Sequence, residues 1–141
     1  LLLAQLRHSE TAGPQPTIAD LEALYSQVRA AGVDLRVDVD PAPPGVPPAA
    51  IQLAVYRILQ EALTNALRHG SGGPVFVRLS WLADRVNLSV QSGVRAQRHP
   101  SNGHGLIGMG ERASLVGGSL NIADNGRVFT VTASLPIGGA A

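Results

Sequence analysis

The sequence predicts an α/β protein whose mixed sheet of about five strands carries about three helices on one face. Two observations lead there. Segments with apolar residues at helical spacing are interspersed with segments of strict apolar–polar alternation, in the order helix, strand, helix, strand, strand, loop, helix, strand, strand. That order also lacks the regular βαβ alternation that builds a wholly parallel sheet, and the paired strands are joined by short turn sequences.

Each element has its own signals. Leu1 to Arg7 reads as the tail of an earlier helix, and Ser9 to Pro16 as a polar linker. Thr17-Ile18-Ala19-Asp20 has the form of a capping box, after which Ile18, Leu21, Leu24, Tyr25 and Val28 recur at helical spacing until Gly32. Val33, Leu35, Val37 and Val39 alternate with other residues and predict a half-buried strand. The Pro-rich run Asp40 to Pro48 is loop. From Ala49 to His69 the apolar positions Ile51, Val55, Ile58, Ala62 and Ala66 define a long helix, with Pro48 suited to its first turn and Gly70 to its end. Ser71-Gly72-Gly73-Pro74 then reads as a turn. Val75–Leu82 and Val86–Val90 form a predicted hairpin around Ala83-Asp84-Arg85, and Gln91 to Asn102 a polar loop. A third helix is expected over Gly105–Val116, closed by Gly117-Gly118. Strands Leu120–Ala123 and Val128–Leu135 follow, turning at Asp124-Asn125-Gly126.

Composition narrows the function classes. The 141 residues are 45% hydrophobic and 15% charged, enough for one domain with a packed core. A net charge of +1 argues against direct nucleic-acid binding or a polybasic membrane patch as the main role. With no cysteine, disulfides and thiolate metal sites are excluded and a cytoplasmic setting is natural. No apolar run approaches the ~20 residues of a membrane span. The start, LLLAQLRH, is expected to belong to a longer protein.

Two stretches carry chemistry. Gly103-His104-Gly105-Leu106-Ile107-Gly108 matches G-x-G-x-x-G literally. The dinucleotide reading fails on context, because a polar loop precedes the motif and a hairpin follows it. The Gly-Lys-Ser/Thr ending of a P-loop is absent. Alone, the stretch is equally a glycine-rich entry to a helix with no ligand. The second stretch lies on the long helix, where Glu61 and Asn65 are four residues apart and His69 four further on, with Arg68 beside them. That spacing aligns them on one side. A solvated face is the commoner fate of such residues. Yet asparagine is a poor helix former, and a carboxylate one turn before a carboxamide offers hard oxygen donors to Mg²⁺.

Together the two stretches carry a resemblance. EALTNALRHG resembles the N-box, and GHGLIGMGERASLVGG the second glycine box, of the ATP-binding domain of bacterial sensor histidine kinases. The form G-L-x-G-M-x-E-R is similar to that of the subgroup partnered with NarL/LuxR-type response regulators. The resemblance runs over Ile18 to Pro136 and sets the expected domain at residues 17–137, between a helix remnant with linker (1–16) and a tail (138–141). It implies the Bergerat fold of gyrase B, a two-layer α/β sandwich, and transfer of the γ-phosphoryl group of ATP to a histidine on a dimerisation domain.

The resemblance also implies roles. Asn65 would chelate Mg²⁺ on the phosphates, and Glu61 would handle a proton or water near the γ-phosphate. Arg68 and His69 would face phosphate oxygens. Gly103, His104, Gly105, Leu106 and Gly108 would fold over the triphosphate, and Gly93 to Asn102 would be a lid, with Arg95, Arg98 and His99 mostly solvated. Where relatives carry an acid against the adenine amino group, Ser92 stands here. A hydroxyl forgoes a charge-assisted contact of about 1.5–3 kcal/mol. Gly110 replaces a frequent arginine. His8 is followed by Ser9-Glu10 and a helix-breaking run, so it reads as a linker residue rather than the phosphoacceptor. These departures leave two alternatives of the same fold: a degenerate, non-catalytic nucleotide-binding module, and an anti-sigma-type serine kinase, against which the form of the glycine box argues.

Overall fold

The computed structural model describes residues 14–94 and 104–138. The predicted helix remnant, His8, most of the lid with Arg95, Arg98 and His99, and Gly103 lie outside these residues.

The capping box forms as the sequence requires. The Thr17 N–H donates to Asp20 Oδ2 at 2.8 Å, and the Ala19 N–H donates to Thr17 Oγ1 at 3.2 Å. It opens a 3₁₀ turn over Ile18–Asp20, and only then does helix α1 run, Leu21–Ala30, burying Leu21, Leu24, Tyr25 and Val28. Gly32, at φ +96°, turns the chain out of it. Strand β1 is Leu35–Val39, two residues shorter than the alternation predicts, because pairing with its neighbour begins at Leu35. Helix α2, Ala49–His69, matches the predicted span, with Pro48 as its N-cap.

Two expectations about residues 70–94 are corrected. Ser71–Pro74 is not a turn. Strand β2 runs Gly70–Trp81, and Gly70 is itself extended (φ −68°, ψ 154°), so α2 passes into β2 without an intervening loop. The register jumps from Gly70 opposite Val94 to Val75 opposite Ser92, so Ser71 to Pro74 form a bulge facing Gly93. Pro74 falls in that bulge, where its missing N–H costs no ladder bond. Strand β3 is Arg85–Val94 rather than ending at Val90. Its polar tail reads as loop by composition, but Ser92 and Gly93 pair with Phe129 and Val128, so Gly93 and Val94 belong to the sheet and not to a lid.

Helix α3 spans His104–Leu115, and strands β4 (Ser119–Asp124) and β5 (Val128–Pro136) complete the fold. Their turn is held by Asp124 and Asn125, whose side chains accept from the N–H groups of Gly126, Arg127 and Val128 at 2.8–2.9 Å. Gly126 takes φ +87° there.

The sheet order is β1-β2-β3-β5-β4, with β1 parallel to β2 and the remaining pairs antiparallel. The period of two then separates the faces. Val75, Val77, Leu79, Trp81, Val86, Leu88, Val90, Val131, Ala133 and Leu135 are buried beneath the helices. Phe76, Arg78, Ser80, Asn87, Ser89, Gln91, Thr130, Thr132 and Ser134 fall on the opposite face, which no helix covers among the described residues. The three α-helices among the described residues pack on one face, as expected for a two-layer α/β sandwich. Among the described residues no helix is long and apolar enough to cross a membrane.

Candidate functional site

Helix α2 is the platform. Its apolar side, with Val55, Ile58, Leu59 and Leu63 fully enclosed, is held against the sheet. The stripe of Glu61, Asn65 and His69 is carried at the core's margin: all three are half-buried, and Arg68 is exposed. This differs from a freely solvated face. Thr64, at 1% exposure, donates from Oγ1 to the Gln60 carbonyl at 2.8 Å and satisfies its hydroxyl inside the helix.

The topology brings a second element to the same place. Because Gly70 follows α2 directly and pairs with Val94, the C-terminal ends of α2 and β3 meet at one end of the sheet. Ser92, two residues before Val94, shares the inward face of β3 with Leu88 and Val90, and is 6% exposed. A buried hydroxyl on that face, at that end, is the polar group that β3 contributes beneath the helix layer. Gly70 is required at the junction, since a Cβ there would collide with the Ala66 carbonyl oxygen.

Helix α3 packs against α2 through a face that buries Met109 and Ala113. The glycine stretch is thus mostly helical: Gly105, Leu106 and Gly108 lie within α3. Leu106 is half-buried and packs on the core, so its side chain seats the helix. Gly108 and Gly110 face open space, where a Cβ would meet no atom within 4 Å. The first-turn N–H groups of any helix lack intrahelical acceptors, and the dipole adds a positive end.

The donor set bears on metal binding. Glu61 and Asn65 provide a carboxylate and a carboxamide oxygen one turn apart, which suits a magnesium ion that keeps waters and phosphate oxygens in its remaining positions. Among the described residues no three His, Cys, Asp or Glu side chains gather into a closed metal cage. Sequence reasoning gave no role to Arg57, Gln52 and Gln60, which are buried polar residues on α2. The signal was present for Arg57, which continues the four-residue stripe backward from Glu61.

A family model for "Histidine kinase-, DNA gyrase B-, and HSP90-like ATPase" matches residues 50–138, from the first turn of α2 past the end of β5. The chain belongs to this ATPase family. The chain is similar to Sensor histidine kinase LnrJ of Bacillus subtilis (strain 168), 30% identical over 95 residues, 67% of this chain. Oxygen sensor histidine kinase NreB of Staphylococcus carnosus (strain TM300) is 39% identical over 92 residues, 62% of this chain. The chain spans 24% and 26% of the length of these two relatives. Solved structures of histidine kinases share the fold. Acinetobacter baumannii histidine kinase AdeS superposes with a TM-score of 0.64 at 11% identity, covering 98% of this chain and 75% of that one. The histidine kinase domain of the Erythrobacter litoralis EL346 blue-light activated kinase gives 0.62 at 20% identity, covering 96% and 70%. The mixed sheet with its helices on one face is the arrangement of this family's histidine kinase catalytic domains.

Proposed function

We propose that this chain binds Mg-ATP and transfers the γ-phosphoryl group to a histidine on the dimerisation domain of a longer two-component sensor kinase. The observation that carries the reading is the half-buried Glu61–Asn65–His69 stripe on α2, ending where β3 delivers the buried Ser92 hydroxyl. Membership of the ATPase family supports nucleotide binding. In this reading Asn65 and Glu61 hold Mg²⁺, which when bound neutralises phosphate charge. Arg68, His69 and the backbone of Gly103, His104, Gly105, Leu106 and Gly108 receive phosphate oxygens, and Ser92 meets the adenine edge. Glu61 also accepts a proton or orients the acceptor group. A histidine ring nitrogen attacks the γ-phosphorus, the new N–P bond forms as the bond to the ADP oxygen breaks, and ADP leaves. Such transfer relies mainly on positioning and charge neutralisation, which suits a sparse set of groups.

The domain proper is assigned to residues 17–137, after a linker, and its setting to the cytoplasm. The G-L-x-G-M-x-E-R form of Gly105 to Arg112 supports a NarL/LuxR-type response regulator as the downstream partner. A serine at position 92, where the resemblance implies an acid, favours one competing reading, a nucleotide-binding module without turnover.

Calorimetric titration with a non-hydrolysable ATP analogue and its GTP counterpart, with and without Mg²⁺, tests the assignment. Micromolar, Mg-dependent, adenine-selective binding is expected. Ser92→Asp should tighten adenine binding about tenfold, ~1.4 kcal/mol, and should destabilise the unliganded domain by ~1–3 kcal/mol as a buried polar group without its partner. No base preference in either protein would remove Ser92 from the site. Binding without transfer to a supplied phosphoacceptor domain would establish the module reading.

A further inference from the structure

The polar stripe of α2 does not begin at Glu61. Four residues earlier stands Arg57, 5% exposed and the one charged side chain in the buried set of described residues. Its Nη1 donates to Gln60 Oε1 at 3.2 Å, and its Nη2 reaches Gln15 Oε1 at 3.5 Å. The guanidinium lies 5.8 Å from the centroid of the Tyr56 ring. Five residues before Arg57, Gln52 makes a second fastening. It accepts from the Ile18 N–H at 3.1 Å and donates from Nε2 to the Pro47 carbonyl at 2.9 Å. The segment entering the domain is therefore gripped at Gln15 and Ile18 by two side chains of the helix that carries the site. Burying a guanidinium is costly unless its donors are satisfied, so this is a built contact and not a surface arginine lying down. Pro14 and Pro16 flank Gln15 and restrict its backbone, which lowers the entropy lost in holding the segment down.

We infer that Gln15 to Ile18 form a strap clasped to α2 by Arg57 and Gln52, and that Arg57 is a positioning residue for Glu61. Residues four apart on a helix have their Cβ atoms about 5–6 Å apart, so a cation fixed at Arg57 biases the orientation of a carboxylate at Glu61. The strap fixes that cation. This second part rests on the role proposed for Glu61; the clasp itself does not.

Gln15→Ala, Arg57→Met and Arg57→Lys separate the possibilities. Gln15 is exposed and its replacement leaves the core intact. In Gln15→Ala and Arg57→Met, hydrogen exchange at the Ile18 amide should accelerate about tenfold as the strap opens locally. Affinity for the non-hydrolysable ATP analogue should stay within roughly twofold of the native chain, while transfer from Mg-ATP to the supplied phosphoacceptor domain falls about tenfold, the pattern of a lost orienting contact. Arg57→Lys should restore part of the transfer. Unchanged exchange at Ile18 overturns the clasp. Affinity falling in parallel with transfer overturns the positioning role and leaves Arg57 a purely structural residue. A native chain that neither binds nor transfers sinks the kinase reading and the positioning role together, and the exchange measurement still decides the strap.

Discussion

Asn65→Ala is expected to abolish the magnesium dependence of nucleotide affinity. The loss should be on the order of 100-fold, about 2.7 kcal/mol. The argument is local. Asn65 is half-buried on the stripe one turn after Glu61, and its carboxamide oxygen is the hard donor that alanine lacks. The fold should not suffer, because alanine is the better helix former by up to ~0.7 kcal/mol and the side chain is outside the fully enclosed core. Thermal melting therefore serves as the control. In magnesium-free buffer the native and substituted proteins should bind the ATP analogue alike. If the substituted protein keeps its magnesium dependence, the stripe is a structural margin of α2 and carries no metal.

Gly70→Ala should produce the largest loss of stability. Its φ of −68° is open to any residue, so the effect is not backbone strain. It is collision: the new methyl would fall on the Ala66 carbonyl oxygen, which cannot move without unravelling the last turn of α2. Overpacking typically costs 1–3 kcal/mol and occasionally more, and with both groups anchored in backbone we expect about 3 kcal/mol. For a domain of this size that lowers Tm by roughly 10 °C. Gly73→Ala, in the neighbouring bulge, is the contrast. It has no positive φ, and its nearest neighbour, Ser71 Oγ, is at an ordinary 3.8 Å. It should shift stability by under ~0.5 kcal/mol. Equal effects at the two positions would show that the junction tolerates a side chain.

Why some of this was legible beforehand follows from which forces set each feature. The span of α2 was readable because a long apolar period, a proline at the N-cap and a glycine at the end all agree. The turn at Asp124 to Gly126 was readable because its chemistry is local. The C-terminal half of β3 was not. Gln91, Ser92 and Gly93 are poor strand formers, and only pairing makes them sheet, to β2 and β5 for Gln91 and Ser92 and to β5 for Gly93. Ser71 to Pro74 looked like a reversal because glycine and proline mark both turns and bulges, and the choice between them depends on a partner strand distant in sequence. The stripe of Glu61, Asn65 and His69 was visible as spacing alone. Its half-burial, and the buried clasp at Arg57 and Gln52, depend on how the preceding segment folds back onto α2, which periodicity does not encode.

The three glycines inside α3 set its energetics. Gly105, Gly108 and Gly110 fall within twelve residues. An interior glycine costs up to ~1 kcal/mol relative to alanine, so Gly108 and Gly110 together forfeit up to ~2 kcal/mol of helix stability, and Gly105 in the first turn adds less. A helix of that length is marginal in isolation even with good residues, and the packing of Leu106, Met109 and Ala113 has to offset the deficit. The N-terminal half of α3 is therefore expected to behave as a low-stability unit that opens without global unfolding. A polyanion seated at its N-terminus would close that opening equilibrium. The heat released on binding would then exceed what the contacts alone yield, and an entropy loss would offset much of it. Amide exchange along Ile107 to Glu111, slowed by the nucleotide while α1 is unaffected, would register the coupling; uniform slowing or none would show α3 already as firm as the core.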